Sequence, residues 1–159
     1  MTYRRGFTFI ELMVAVSILA VITVSGSLYL NKFNSQQKLS RAKSEMVSMV
    51  NLVQNYAKIK QKPADYSGEI NFIRLRQSSS GVIEADINGV GTTYFTRSLA
   101  ENGLTISFNP IYFWGGSGKL IKSDGTFFGP EENSVITITL NQGIAATETI
   151  NVNSLGGIK

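Results

Sequence analysis

The sequence predicts an α+β protein in which one long N-terminal helix packs on a C-terminal antiparallel β-sheet head. Residues 7–30 form an almost unbroken apolar run, and no proline occurs before Pro63, so a helix can continue past that run. Residues 39–56 repeat apolar side chains at intervals of three and four, the spacing of an amphipathic helix. From Pro63 onward, short segments alternate apolar and polar residues between glycines, as half-buried antiparallel strands do.

These patterns divide the chain into a short basic segment at 1–6, a transmembrane helix at 7–30, an amphipathic stalk helix at 31–62 and a β head at 63–159. A chain of 159 residues is long enough for one small domain with an extension. It contains no cysteine and no histidine, which removes disulfides, most metal sites and most nucleophilic triads. We therefore expect no enzymatic activity, no cofactor and no metal site.

The net charge of +4 is unevenly distributed along the chain. Residues 31–62 hold seven basic residues against Glu45 alone, whereas the segment from Pro63 onward holds nine acidic and six basic residues. The stalk is therefore basic and the head is mildly acidic. This division weakens any function in which the head binds nucleic-acid phosphates.

The apolar helix carries an acidic residue. Residues 7–30 would form a helix about 36 Å long, enough to cross a hydrocarbon core of about 30 Å. Glu11 lies inside this run, where an ionisable side chain is expensive and indicates a function. An ordinary single-span anchor, or a secretory signal cleaved near residues 25–27, would explain the apolar run but not Glu11.

The segment Gly6-Phe7-Thr8-Phe9-Ile10-Glu11-Leu12, after a basic leader, resembles the processing site of type IV prepilins and type II secretion pseudopilins. The resemblance implies that a prepilin peptidase cuts after Gly6 and methylates the new amine of Phe7. It also implies that Glu11 pairs with the terminal amine of a neighbouring subunit. The implied partners are the peptidase, other pilin or pseudopilin subunits, an inner-membrane assembly platform and, before assembly, membrane lipid. The protein would then span the cytoplasmic membrane once, with an extracytoplasmic head, before entering a pilus or pseudopilus filament.

The charges that flank the apolar run disagree with this orientation. The positive-inside rule compares the basic residues on the two sides of a span. Two arginines precede the run and four basic residues follow it: Arg4 and Arg5, then Lys32, Lys38, Arg41 and Lys43. The rule alone would leave the head in the cytoplasm, whereas the resemblance implies that the leader stays there. We follow the resemblance.

The stalk helix has one apolar stripe, which predicts packing against the head's own sheet rather than a coiled coil. Its predicted positions are Leu39, Ala42, Met46, Met49, Val53 and Tyr56. Gly26 is the position at which the long helix is most easily loosened, because glycine costs about 1 kcal/mol relative to alanine.

Alternating runs predict seven strands in the head, separated by turn dipeptides such as Asn88-Gly89 and Asp124-Gly125. We place them at residues 70–75, 82–87, 92–97, 104–108, 119–122, 135–140 and 149–152. Residues 112–114, a tyrosine, a phenylalanine and a tryptophan, are interpreted as anchors of the core or of a loop over it.

Two segments of the head imitate functional motifs. Residues 115–119, Gly-Gly-Ser-Gly-Lys, suggest a phosphate-binding loop, but the first glycine and the final Ser or Thr of that motif are missing, so a flexible turn is predicted. Asp124, Glu131 and Glu132 could hold calcium together with backbone carbonyls, although no ligand-loop spacing is met.

The glycine-punctuated β head that follows a long helix is similar to the heads of H-type pseudopilins and T-type minor pilins. The function predicted from this resemblance is that of a structural subunit, a minor one, of a type IV pilus-like or type II secretion filament. The alternative is a DNA-uptake (competence) pilin whose head or tail binds DNA. A mildly acidic head with a single terminal Lys159 makes nucleic acid an unlikely partner.

Overall fold

The computed structural model describes residues 6, 8–79, 81–99, 103–141 and 145–158, with the backbone alone at 24–28. Over these residues the chain forms one helix and eight strands. Their bounds are α1 Phe9–Ile59, β1 Phe72–Ser79, β2 Val82–Ile87, β3 Thr93–Ser98, β4 Leu104–Phe108, β5 Ile111–Trp114, β6 Leu120–Ile121, β7 Asn133–Leu140 and β8 Ala146–Asn153.

The helix α1 is continuous through Gly26 and ends at Ile59, where Lys60 adopts a left-handed conformation (φ 49°). The chain then folds back on the helix end: the amide of Gln61 donates to the Tyr56 carbonyl at 3.1 Å, and the amide of Gly116 donates to the Ala57 carbonyl at 2.7 Å. The last carbonyls of a helix have no partner within it, so these contacts satisfy groups that would otherwise be buried without one.

The strands form a five-stranded sheet of order β3-β2-β1-β5-β6 and a three-stranded sheet of order β4-β7-β8. Every pairing is antiparallel. The predicted fold class, a long N-terminal helix on an antiparallel β head, is confirmed. All seven predicted strands have a counterpart, although the bounds of β1 and β8 differ most from those predicted.

The strand β5 was not predicted from the sequence. Its residues were interpreted as anchors of the core or of a loop, but they form a strand between β1 and β6, with Phe113 fully buried. The strand is only four residues long and consists of one isoleucine and three aromatic residues, so it shows no alternation of apolar and polar side chains. Its alternation is in burial: Ile111 and Phe113 face the core, and Tyr112 and Trp114 face outward.

The core lies between one face of α1 and the inner faces of both sheets. The predicted stripe is confirmed: its first five positions are buried, Tyr56 is partly buried, and Val50 and Ala57 extend it. The stripe packs on buried residues from both sheets. Burying a side chain the size of valine or methionine stabilises a fold by about 1.5–3 kcal/mol, so this face of the helix is a large part of the head's stability. The fully buried large side chains are Met46, Ile70, Ile73, Leu75, Ile83, Ile87, Ile106, Phe113, Leu120, Ile136, Ile138 and Leu140.

The helix divides at Ser35, its first buried position. We term residues 9–34 the projecting half and residues 35–59 the packed half. In the projecting half every side chain that is described, at 9–23 and 29–34, is exposed. Its 26 residues extend about 39 Å beyond the head, at 1.5 Å per residue. Within the described residues, we find no helical segment that combines the length and the apolarity needed to cross a bilayer.

Candidate functional site: the projecting helix and its N terminus

The projecting half begins with a capping box. Thr8 is the N-cap residue, and its hydroxyl oxygen accepts a hydrogen bond from the Glu11 amide at 3.3 Å. In return, Glu11 Oε2 accepts hydrogen bonds from the Thr8 amide and the Thr8 hydroxyl, both at 3.0 Å. A carboxylate is favoured there because the first amides of a helix lack partners and carry partial positive charge. Glu11 therefore stabilises the start of its own helix.

The capping role of Glu11 was missed in the sequence analysis, although its signal was present. A threonine three residues before a glutamate, ahead of an apolar run, is the spacing of a capping box. One carboxylate oxygen makes these local bonds, so the structure adds an intramolecular role for Glu11 to the predicted one between subunits.

The predicted processing site lies at the same end of the helix. Gly6 is exposed, and a methyl group placed on its Cα would meet no atom within 4 Å. Phe7, the predicted methylation site, lies outside the described residues. The structure thus brings Gly6 and Glu11 to one exposed helix terminus, and cleavage and methylation stay predictions.

Over residues 9–23 the surface of the projecting half is apolar on all sides, apart from Glu11. Two of its hydroxyl side chains turn back to the helix: Ser17 donates to the Met13 carbonyl at 2.8 Å, and Thr23 donates to the Leu19 carbonyl at 2.7 Å. With those polar groups satisfied internally, the surface is left to large apolar side chains, each more than half exposed. A contiguous apolar surface of this length indicates an interaction site. The members described are Phe9, Ile10, Leu12, Met13, Val14, Val16, Ile18, Leu19, Val21, Ile22, Tyr29 and Leu30.

The packed half holds this surface in a set direction relative to the head. Near its start, Lys43 Nζ lies 2.7 Å from Glu148 Oε2 on β8. Near its end, the buried Gln54 side chain donates to the Leu155 carbonyl at 2.7 Å and to the Gly118 carbonyl at 3.3 Å. Polar contacts at both ends, with the apolar stripe between them, fix the helix to the head.

The glycine turn at 115–118 forms hydrogen bonds with neighbouring elements. The Gly115 amide donates to the Asn71 carbonyl at 2.7 Å, and the Gly116 amide bonds the helix end as described above. A Cβ atom on Gly115 would lie 2.4 Å from the Ile70 carbonyl oxygen, so only glycine allows this close approach. These amides bond the protein itself, which leaves the turn unsuited to cradle a phosphate.

Two of the three carboxylates considered for calcium, those of Asp124 and Glu132, form local hydrogen bonds. Asp124 Oδ1 accepts from the hydroxyl and the amide of Thr126, at 2.7 and 2.9 Å. Glu132 accepts from the Gly129 amide at 2.6 Å and from Lys122 at 2.9 Å. The Thr126 hydroxyl lowers the pKa of Asp124, and the Gly129 amide lowers that of Glu132. The described residues contain no group of three acidic side chains close enough together to hold a metal ion.

The arginines of β1 form an ion network on the outer face of the five-stranded sheet. Asp86, only 1% exposed, accepts from Arg74 at 2.8 Å and from Arg76 at 2.9 Å. Arg76 also contacts Glu84 at 2.7 Å. The hydrogen bond to Asp86 raises the pKa of Arg74. These arginines are neutralised within the head, which makes them poor candidates for a DNA-binding patch.

Comparison with known proteins agrees with these features. The family described as "Prokaryotic N-terminal methylation motif" matches residues 1–27. The chain is 30% identical over 78 residues to the type IV major pilin protein PilA of Myxococcus xanthus (strain DK1622), a match that covers 49% of this chain and 36% of that relative. This chain thus spans about a third of the length of that relative.

The fold is similar to the crystal structure of the type IV minor pilin FimU of Pseudomonas aeruginosa (strain PAO1). The TM-score is 0.58 at 13% sequence identity, over 80% of this chain and 90% of that chain. At this identity the likeness concerns the fold alone. The N-terminal segment is thus similar to the methylation motif, part of the chain is similar to a type IV pilin, and the fold is similar to that of a minor pilin.

Proposed function

We propose that this protein is a minor structural subunit of a type IV pilus-like or type II secretion filament and assembles through its projecting helix. The observation that carries the proposal is the division of α1 at Ser35, because the head is complete without the projecting half. An apolar helix that its own chain leaves uncovered has to be covered by lipid or by other helices.

Before assembly, the cytoplasmic membrane supplies that cover. Residues 7–30 span the bilayer once, with the leader in the cytoplasm and the head outside. Prepilin peptidase cuts after the exposed Gly6 and methylates the amine of Phe7. The internal hydrogen bonds of Ser17 and Thr23 support this stage, because hydroxyl groups in hydrocarbon need a partner within the protein.

On assembly, the projecting halves of other pilin or pseudopilin subunits replace lipid, with the help of the inner-membrane assembly platform. The Phe7 amine of one subunit then pairs with the Glu11 carboxylate of another. Glu11 Oε2 bonds Thr8, so the carboxylate is already held at the helix terminus when the amine arrives. Leaving either charge buried without its partner would cost several kcal/mol, which favours subunits docked in register. The subunit acts by this packing and pairing, with no catalytic step of its own.

The assignment to a minor rather than a major subunit has one line of support. The likeness to the minor pilin covers 80% of this chain, whereas the match to the major pilin covers 49%. The likeness to the minor pilin concerns the fold alone. The copy number of this protein in isolated filaments is therefore the measurement that distinguishes a minor from a major subunit.

The proposal is tested by expressing the full chain together with prepilin peptidase and the cognate assembly proteins. We expect intact-mass measurement to give a chain that starts at Phe7 with one added methyl group, and sheared filaments to contain it. Gly6→Leu should remain uncut and stay in the membrane fraction, as should the wild type in cells without the peptidase. Uncut wild-type protein in the filament fraction, or its absence from filaments after correct processing, would overturn the proposal.

A further inference from the structure

Where the projecting half meets the packed half, four side chains of α1 line a shallow surface hollow of about 270 Å³. They are Tyr29, Lys32, Phe33 and Gln36. Their spacing of three, four and seven residues places them on one helix face. All four are exposed, with Tyr29 at 74% and Phe33 at 50%. The hollow thus combines an ammonium group, a hydroxyl group, an amide and an aromatic ring.

In the part of the chain that the structure describes, some of the basic side chains near the hollow form ion pairs within the protein, and others do not. Arg41 Nε lies 3.4 Å from Glu45 Oε1, and Lys43 is paired with Glu148. Among the ion pairs of the described residues, none includes Lys32 or Lys38. The first two cations that follow the apolar run are therefore left for an external anion.

The proposed membrane stage, on which this inference rests, sets the depth of these cations. At 1.5 Å per residue, Lys32 lies about 3 Å beyond Leu30 along the helix axis and Lys38 about 12 Å beyond it. The head-group layer on each side of a bilayer is roughly 5–8 Å thick, and its field decays over about 8 Å at physiological salt. Lys32 is therefore at the level of the lipid phosphates, and Lys38 is near the outer limit of their field.

We infer that this hollow binds the head group of an anionic phospholipid in the outer leaflet of the cytoplasmic membrane. Lys32, Tyr29 and Gln36 would donate to the phosphate oxygens, while the Phe33 ring contacts the glycerol and the upper acyl chain. Tyrosine and lysine are the residues that anchor helices at this depth. An anionic lipid is favoured over a zwitterionic one because its head group has no cation of its own to compete with Lys32.

The test uses the full chain reconstituted into bilayers of equal parts phosphatidylglycerol and phosphatidylcholine, with retained lipids identified by native mass spectrometry. We expect the wild type to retain phosphatidylglycerol over phosphatidylcholine by about fivefold, the preference that one lysine near an anionic surface provides. Lys32→Gln should abolish most of that preference, and Lys32→Arg should keep it. Lys58→Gln is the matched control: it is an exposed lysine of the same helix, about 39 Å further from the bilayer.

Three results would overturn the inference. The first is equal retention of both lipids by the wild type, and the second is a loss of preference in Lys58→Gln as large as that in Lys32→Gln. The third is a Lys32→Gln variant that keeps the lipid preference but loses filament incorporation, which would assign the hollow to a carboxylate of a neighbouring subunit. A chain that does not enter the mixed bilayer would instead refute the proposed membrane stage, and this inference with it. Failure of the head-group site and failure of the proposed function are thus distinguishable.

Discussion

The two halves of α1 share one continuous backbone but differ in what covers their side chains. The packed half has a polar face toward solvent and an apolar face under the two sheets. The projecting half is apolar on all sides over residues 9–23, apart from Glu11, and its described side chains are exposed. Two methionines show the contrast: Met46 is 0% exposed and Met13 is 57% exposed.

This difference separates folding from assembly within a single element. A one-sided apolar stripe is what a helix needs to pack on its own domain, whereas an apolar surface all round needs a medium or a partner on every side. Changes in the packed half should therefore alter the stability of the head. Changes in the projecting half should alter insertion and assembly while the head stays folded.

The largest effect is expected for Glu11→Val. It removes the carboxylate that pairs with a neighbour's amine, so incorporation into filaments should fall sharply while the membrane pool rises. Insertion should be unharmed, because a charge has been removed from an apolar helix. Glu11→Asp should be intermediate, since its carboxylate reaches one methylene less far. The measurement is a blot of sheared filaments and membranes at equal expression levels.

The matched control for this series is Glu45→Val, the same change in the packed half, where Glu45 is exposed and pairs with Arg41. It should enter filaments as the wild type does. Equal recovery of Glu11→Val, Glu11→Asp and wild type in filaments would refute the pairing of Glu11 with a neighbour's amine. In that case its role would be limited to the capping box with Thr8.

A second, smaller effect is expected on the free energy of unfolding, which should respond to changes in the packed half and not to changes in the projecting half. Met46→Ala should lower the free energy of unfolding of the head by about 2–5 kcal/mol, because it leaves a cavity in a packed core. Met13→Ala, an exposed position, should change it by no more than about 0.5 kcal/mol. Both changes in unfolding free energy are measured by thermal unfolding of the full chain in detergent. The signal is the near-UV circular dichroism of Trp114, whose ring packs edge-to-face on Phe127. Similar losses in the two variants would contradict the division of the helix.

The packed half could be predicted from the sequence because burial of one helix face requires apolar residues at intervals of three and four. The stripe from Leu39 to Tyr56 is such a pattern, and the alternating strands are another. The capping box could also have been predicted, because Thr8 and Glu11 have its spacing. It was overlooked because Glu11 had been interpreted only through contacts between subunits.

Other features depend on register and topology, which no local pattern encodes. The pairing of Arg74 with Asp86 requires the β1–β2 register that places them opposite each other. The start of β1 depends on Asn88, whose side-chain oxygen accepts from the amides of Asn71 and Phe72 at 2.9 and 3.1 Å. The strand β5 is recognised only through its neighbours, β1 and β6.

The most direct test of the account is the stability of residues 31–159 alone. If the packed half is sufficient to complete the head, this fragment should be soluble and monomeric by analytical ultracentrifugation. Its unfolding should be cooperative, with a midpoint within about 4 °C of that of the head in the full chain. A fragment that is unfolded, that aggregates, or that melts far below the full chain would show that the projecting half takes part in folding the head, and would contradict the account.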